Sequence, residues 1–167
     1  MRDSRNLRNS RALLIVALIA IFAVIGRLGI FRRPGAASFS TGVVEHVIDG
    51  DTVRLADGRH VRYIGMDSPE MNSTSERARA IAIRARDFNS SLVEGRTVRL
   101  EYDVETIDRY GRTLAYIWVN DTLVNGAVVR EGLARARVYG RNTRYADRLA
   151  RLEDAARAEG RGMWADR

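Results

Sequence analysis

The chain contains no cysteine. That excludes disulfide scaffolds, thiolate metal centres and cysteine nucleophiles, while an oxidising compartment is neither required nor forbidden. Lysine is absent too, so all 28 basic residues are arginine, and that choice of cation carries no functional reading by itself. Only two histidines occur, His46 and His60. Both fall in alternating segments that read as strands, where a structural side chain is expected rather than a metal ligand or general base. No internal repeat or low-complexity tract is present. A chain of 167 residues is long enough for one ordinary domain and too short for two, so any terminal segment leaves room for a single core.

The formal charge of +7 suggests a polyanionic partner, but its location matters more than its total. Residues 1–37 hold seven arginines and one aspartate, so most of the excess sits there. Residues 38–129 carry eleven arginines against fourteen carboxylates, and residues 130–167 carry ten against six. An acidic part can hold a cation and a basic part can meet phosphate, although solvated surface charge accounts for either imbalance alone.

Arg2, Arg5, Arg8 and Arg11 precede an uncharged apolar run, Ala12 to Gly26, which is followed by Arg27, Arg32 and Arg33. This pattern predicts an N-terminal hydrophobic helix that targets or anchors the chain. The run makes roughly 22 Å of helix at about 1.5 Å per residue, short of the roughly 30 Å hydrocarbon layer. Extension to Phe31, with Arg27 snorkelling to the headgroups, spans that layer. Two readings stay open: an uncleaved signal anchor in the membrane, and a signal peptide cleaved at Gly35, Ala36 and Ala37 to release a secreted domain. Either way the excess of arginine before the run favours an inside N-terminus and an extracytoplasmic domain. The expected organisation is therefore a signal segment with linker over 1–37 and one domain over 38–167.

Pro34 to Thr41 reads as linker. Strand signals follow at Val43 to Ile48, Thr52 to Leu55, Arg59 to Ile64, Arg96 to Tyr102 and Thr113 to Val119, with Ala56-Asp57-Gly58 as a hairpin turn. Glu76 to Val93 places Ile81, Ala85, Phe88 and Leu92 on one helical face and stops at Gly95. Asn125 is expected to cap a short helix ending near Gly132, and a last helix runs from about Arg144 to Glu159. Five short strands with a helix after the third and helices at the end predict an α+β fold, a five-stranded OB-type barrel with three helices.

Three local patterns carry candidate chemistry: Asp49-Gly50-Asp51-Thr52, Arg62 to Glu70 ending in Asp67-Ser68-Pro69-Glu70, and Asp108-Arg109-Tyr110-Gly111-Arg112. Singly they are ordinary turns and loops. Together they demand more, because pairing of the intervening strands brings a turn carboxylate and a strand-end carboxylate close. Asp51 and Asp67 then offer hard oxygen ligands to calcium, with a backbone carbonyl such as that of Ser68 and waters completing the shell. Glu70 is placed to orient or deprotonate a water. Arg62 and Arg112 supply fixed, permanently charged donors for a phosphoryl group, or alternatively form salt bridges to Asp67 and Asp108.

At these motifs the sequence resembles the staphylococcal nuclease (thermonuclease) family, in order and over about Thr41 to Trp164. The resemblance implies an OB barrel and a hydrolase: a calcium-dependent endonuclease acting on single-stranded or frayed DNA and on RNA and leaving 3′-phosphates. It implies Asp51, Asp67 and the Ser68 carbonyl as Ca2+ ligands, with Asp49 behind them. Glu70 is implied as general base, and Arg62 and Arg112 as phosphate-holding catalytic groups. Arg109 and Tyr110 are implied to contact substrate phosphate. Two departures stand out. The family's pair of alternating tyrosines is replaced by Ala136-Arg137-Val138-Tyr139, leaving Tyr139 as the stacking candidate, and Met71 to Ser75 lacks the basic loop of the secreted prototype. The competing expectation is a non-catalytic membrane-anchored OB module that binds nucleic acid or protein without turnover.

Overall fold

The computed structural model describes residues 38–165. The expected hydrophobic helix, with its anchor and signal-peptide readings, lies outside the described residues. Among the described residues no helix is long and apolar enough to cross a membrane.

Five strands close into a barrel. Strands β1 (Phe39–Val47), β2 (Thr52–Leu55) and β3 (His60–Tyr63) form an antiparallel meander. After a two-residue strand β4 (Met66–Asp67) and helix α1 (Glu76–Val93), strand β5 (Thr97–Glu101) returns alongside β1 and pairs with β6 (Thr113–Val119). Closure is a parallel pairing of β3 with β6 that sets Val61 opposite Thr113, Arg62 opposite Leu114 and Tyr63 opposite Ala115. The ring therefore removes the free edges an open sheet would leave. The short β7 (Thr122–Leu123) forms a hairpin with β6 before helix α2 (Val124–Arg130). Then β8 (Arg135–Ala136) pairs with β4 outside the barrel, Met66 opposite Ala136 and Asp67 opposite Arg135, and helix α3 (Ala146–Ala158) ends the domain.

The barrel is filled by alternate residues of each strand, including Val44, Val53, Leu55, Val61, Val98, Leu100, Ala115 and Ile117, all fully buried. Each large side chain of this set contributes about 2 kcal/mol through burial. Helix α1 matches its sequence limits because local signals agree. Ser75 Oγ accepts the Ala78 N–H, Ile81, Ala82 and Ala85 are buried, and Gly95 leaves the helix at φ +72°, a conformation that favours glycine.

Two expectations are corrected. The last part of the supposed linker, Phe39 to Thr41, is strand, since Phe39 to Val43 pair with Glu101 to Thr97, while its residues 34–37 lie outside the described residues. Asn125 is not a helix cap: Leu123 occupies that position without a side-chain bond. Asn125 is instead fully buried, accepts the Ile117 N–H at 2.8 Å and donates to the Ile64 carbonyl at 2.8 Å. It thereby ties β6 to the turn that follows β3. Helix α3 also begins at Ala146 rather than Arg144, and Trp164 packs back into the domain beneath Arg157 and Arg135.

Candidate active site

The turn between β1 and β2 is built by its own carboxylates. Asp49 Oδ1 accepts the Asp51 N–H at 2.9 Å, closing a tight turn through Gly50. A Cβ on Gly50 would lie 2.6 Å from the Ala85 Cβ and 2.8 Å from the Ser68 Cβ. Only glycine permits this approach, which seats the turn against α1 and the strand-end loop. A buried relay fixes it from behind: the Tyr63 hydroxyl donates to Asn89 Oδ1 at 3.0 Å, and Asn89 Nδ2 donates to the Asp49 carbonyl at 3.1 Å. Burial pushes the Tyr63 phenol up, so it stays a donor.

Asp51 is buried and accepts from the Ser68 N–H at 2.7 Å and from the Thr52 hydroxyl at 3.1 Å. Burial pushes its carboxyl up to about 6, Arg62 pulls it down, and the charge of Asp49 adds to the rise. Arg62, on β3, bridges the two candidate metal ligands. Its Nη1 lies 2.7 Å from Asp51 Oδ2 and its Nη2 donates to Asp67 Oδ1 at 2.8 Å. Nη1 also reaches the Met66 carbonyl at 3.2 Å. The structure thus gives Arg62 a double ion pair, one arm of which the sequence anticipated.

Arg112 is held at the mouth of β6 by Asp108. One oxygen of Asp108 accepts the backbone N–H groups of Tyr110 and Arg112, each at 2.9 Å, and the other accepts Arg112 Nε at 2.7 Å. Burial alone would raise the Asp108 carboxyl, but the bonds from Arg112 and Tyr110 hold it below the usual range. With Nε committed, the terminal NH2 groups of Arg112 are left to the cleft it lines.

That cleft has a volume of about 690 Å³ and is lined by Arg62, Glu70, Arg109, Tyr110, Arg112 and Tyr139 among others. It unites the three candidate catalytic groups with all three candidate substrate contacts. The aromatic rings stand open, Tyr110 at 68% and Tyr139 at 59% exposure. The guanidinium groups of Arg109 and Arg112 lie 4.7 and 5.5 Å from the Tyr110 ring centre. Asp51, Asp67 and Ser68 border the cleft through Arg62 rather than lining it. His46 and His60 stand outside, both exposed on strands, with His46 beside Glu94.

Sequence reasoning missed the groups that fasten this wall. Asn142, 2% exposed, accepts the Glu105 N–H at 2.7 Å and donates to the Glu105 carbonyl at 2.8 Å, joining the loop before Arg109 to the loop after Tyr139. Asn89 does the same for the turn of Asp49 to Asp51. An asparagine in a loop or helix carries no local mark of burial, so neither had a signal to find.

A profile described as Staphylococcal nuclease homologue matches residues 60–166, well over half of the chain. The chain belongs to the staphylococcal nuclease family. Its similarity to family members extends over nearly the whole length: it is 34% identical over 161 residues to the Thermonuclease of Staphylococcus hyicus, covering 92% of this chain and 95% of that protein. It is 35% identical over 156 residues to the Thermonuclease of Staphylococcus intermedius, covering 91% and 93%. The Endonuclease YncB of Bacillus subtilis is 34% identical over 127 residues, 73% of this chain and 60% of that protein. This family member is a nuclease, and so a hydrolase.

Proposed function

We propose that this nuclease is calcium-dependent and hydrolyses phosphodiester bonds of single-stranded or frayed DNA and of RNA, leaving 3′-phosphates. The observation that carries the reading is one open cleft lined by Arg62, Glu70 and Arg112, with Asp51 and Asp67 joined to it through Arg62.

The donor set suits calcium. Asp51 and Asp67 are hard oxygen ligands already gathered around a cationic group, and calcium accepts carbonyls and waters for the remainder of its shell. Among the described residues no three acidic, histidine or cysteine side chains cluster as a ready metal cage. Asp51, Asp67 and the Ser68 carbonyl are the set the family resemblance implies would hold the ion, with Asp49 setting the turn behind Asp51. Bound calcium supplies Lewis-acid polarisation of a phosphoryl oxygen.

The chain's own groups do the rest. The NH2 groups of Arg112, and those N–H donors of Arg62 not taken up by Asp51, Asp67 and the Met66 carbonyl, hold the non-bridging oxygens and oppose the charge that builds on them in the transition state. The Glu70 carboxylate takes the proton of the attacking water as its oxygen bonds to phosphorus and the bond to the 5′-oxygen breaks, that oxygen leaving as a hydroxyl with a proton from solvent. Arg109 and Tyr110 receive a neighbouring phosphate, and Tyr139 offers a ring face to a base. Arg112, held by Asp108 through Nε, loses little entropy on binding phosphate, because its fork is already oriented.

The test uses the full chain with denatured DNA, in calcium or in chelator, beside Glu70→Gln and Arg112→Ala. Cleavage is expected in calcium only, reduced at least about 100-fold by either substitution. Binding without turnover in the unmodified protein would sink the proposal. We further propose that the domain acts outside the cytoplasm, carried there by residues 1–37 as membrane anchor or cleaved signal. The mass of the mature protein distinguishes the two.

A further inference from the structure

A second cleft, of about 340 Å³, is lined by the Asp67-Ser68-Pro69 segment, which does not line the one described above. Its floor is apolar and supplied by Pro69, Ala78, Ile81 and Met163, from the strand-end loop, the first turns of α1 and the segment after α3. Its rim is basic. Arg77 and Arg135 are both exposed there, and the one carboxylate among the lining residues is Asp67, which Arg62 already neutralises. Neither arginine is loose: Arg77 donates to the Ala165 carbonyl, and the Arg135 guanidinium lies 5.1 Å from the Trp164 ring centre.

We propose that this cleft is a nucleoside subsite, which takes the base next to the scissile phosphate of a single strand and places the following phosphate against Arg77 and Arg135. The proposal rests on the nuclease reading above. Three features of the cleft select this occupant. It adjoins the proposed catalytic wall, because its lining residue Pro69 precedes Glu70 and its lining residue Asp67 is paired with Arg62, so one strand passing Asp67 reaches both clefts. An apolar floor accepts the flat face of any base, while guanidinium groups at the rim suit phosphate. The volume is of the size of one base with its sugar, as a single-stranded substrate would present it.

The consequence is a binding contribution remote from the reacting atoms. A strand occupying both clefts is held on either side of the bond to be broken, and the scissile phosphate is positioned between two fixed points.

The experiment uses single-stranded decamers, intact or with one abasic position scanned along the strand, and full-length protein, unmodified or carrying Ala78→Phe to fill the cleft. Affinity is measured in chelator, where nothing is cleaved, and kcat/KM in calcium. In the unmodified protein one abasic position beside the scissile bond is expected to weaken binding about tenfold, the effect of leaving roughly 50 Å² of apolar surface uncovered. In Ala78→Phe the intact strand should bind about tenfold more weakly, and that abasic position should cost nothing further. As a control for folding, Arg77→Ala leaves the floor intact and should lower the salt slope of log affinity by about 0.7, one phosphate contact on a single strand. Losses that multiply between Ala78→Phe and the abasic position, or an unchanged salt slope in Arg77→Ala, would overturn the subsite. Absence of cleavage by the unmodified protein in calcium would instead overturn the nuclease reading, while the affinity measurements in chelator would still decide the subsite.

Discussion

Asp108 carries two separable duties on two oxygens, and its substitution by asparagine should part them. Oδ1 holds the backbone of the turn through Tyr110 and Arg112, while Oδ2 holds Arg112 Nε. In Asp108→Asn the amide carbonyl still accepts the two backbone donors, but the NH2 that replaces Oδ2 cannot accept from a guanidinium. Only the ion pair is lost. Its side chains are 32% and 14% exposed, so water screens part of a charge-assisted bond and the cost is about 1 kcal/mol. In Asp108→Ala both backbone donors lose their acceptor as well, at about 1 kcal/mol each, for roughly 3 kcal/mol in total. Urea unfolding read by tryptophan fluorescence measures both. Catalysis should follow a different order. Either variant releases Arg112 from its orientation, so kcat on denatured DNA should fall about 10-fold to 100-fold in both despite their unequal stabilities, approaching the loss in Arg112→Ala. Combining Asp108→Asn with Arg112→Ala should add little, because both remove one group's action. Full activity in Asp108→Asn, or losses that multiply in the double variant, would refute the positioning of Arg112 by Asp108.

Three further outcomes are expected. Asn125→Ala strands the Ile117 N–H and the Ile64 carbonyl in a fully buried place, which should lower unfolding free energy by about 4 kcal/mol in urea titration. Gly50→Ala presses a methyl onto Ala85 and Ser68, and should cost about 1–3 kcal/mol together with a weaker calcium affinity by calorimetry, since the Asp51 turn must shift. The third concerns pH: because the folded carboxyl of Asp51 is raised from 3.8 to about 6, it contributes stability fully present below about pH 4 and lost as pH rises through about 6. Calcium-free unmodified protein should therefore lose stability relative to Asp51→Asn between about pH 4 and 7. A constant difference between the two across that range would count against the raised carboxyl, and calcium affinity should weaken on acidification over the same window.

What the sequence disclosed was what neighbours in the chain decide. Helix α1 has its cap, its apolar face and its terminating glycine within twenty residues, and β6 has an apolar run bounded by turns, so both were legible to the residue. The three charged motifs were legible as well, because each is a compact turn or strand end. Remote contacts were not. Phe39 to Thr41 look like linker until Glu101 to Arg99 lie beside them, and Asn125 looks like a cap until β6 and the turn after β3 meet around it. The bridge from Arg62 to Asp51 as well as Asp67 needs the β1–β2 turn pressed against the strand-end loop, a packing that rests on the missing side chain of Gly50.

The parallel pairing of β3 with β6 also sets the timing of activity. Residues 61–63 and 113–115 are about fifty positions apart, and that contact is what brings the strand of Arg62 beside the strand that opens at Arg112. Joining ends so distant is slow and entropically costly until the rest of the barrel rewards it. A chain in which β6 has not yet paired has Asp51, Asp67 and Arg62 in one piece and Arg112 in another, and the cleft lined by both arginines is unformed. Activity is therefore expected to appear only when the ring closes, late in folding.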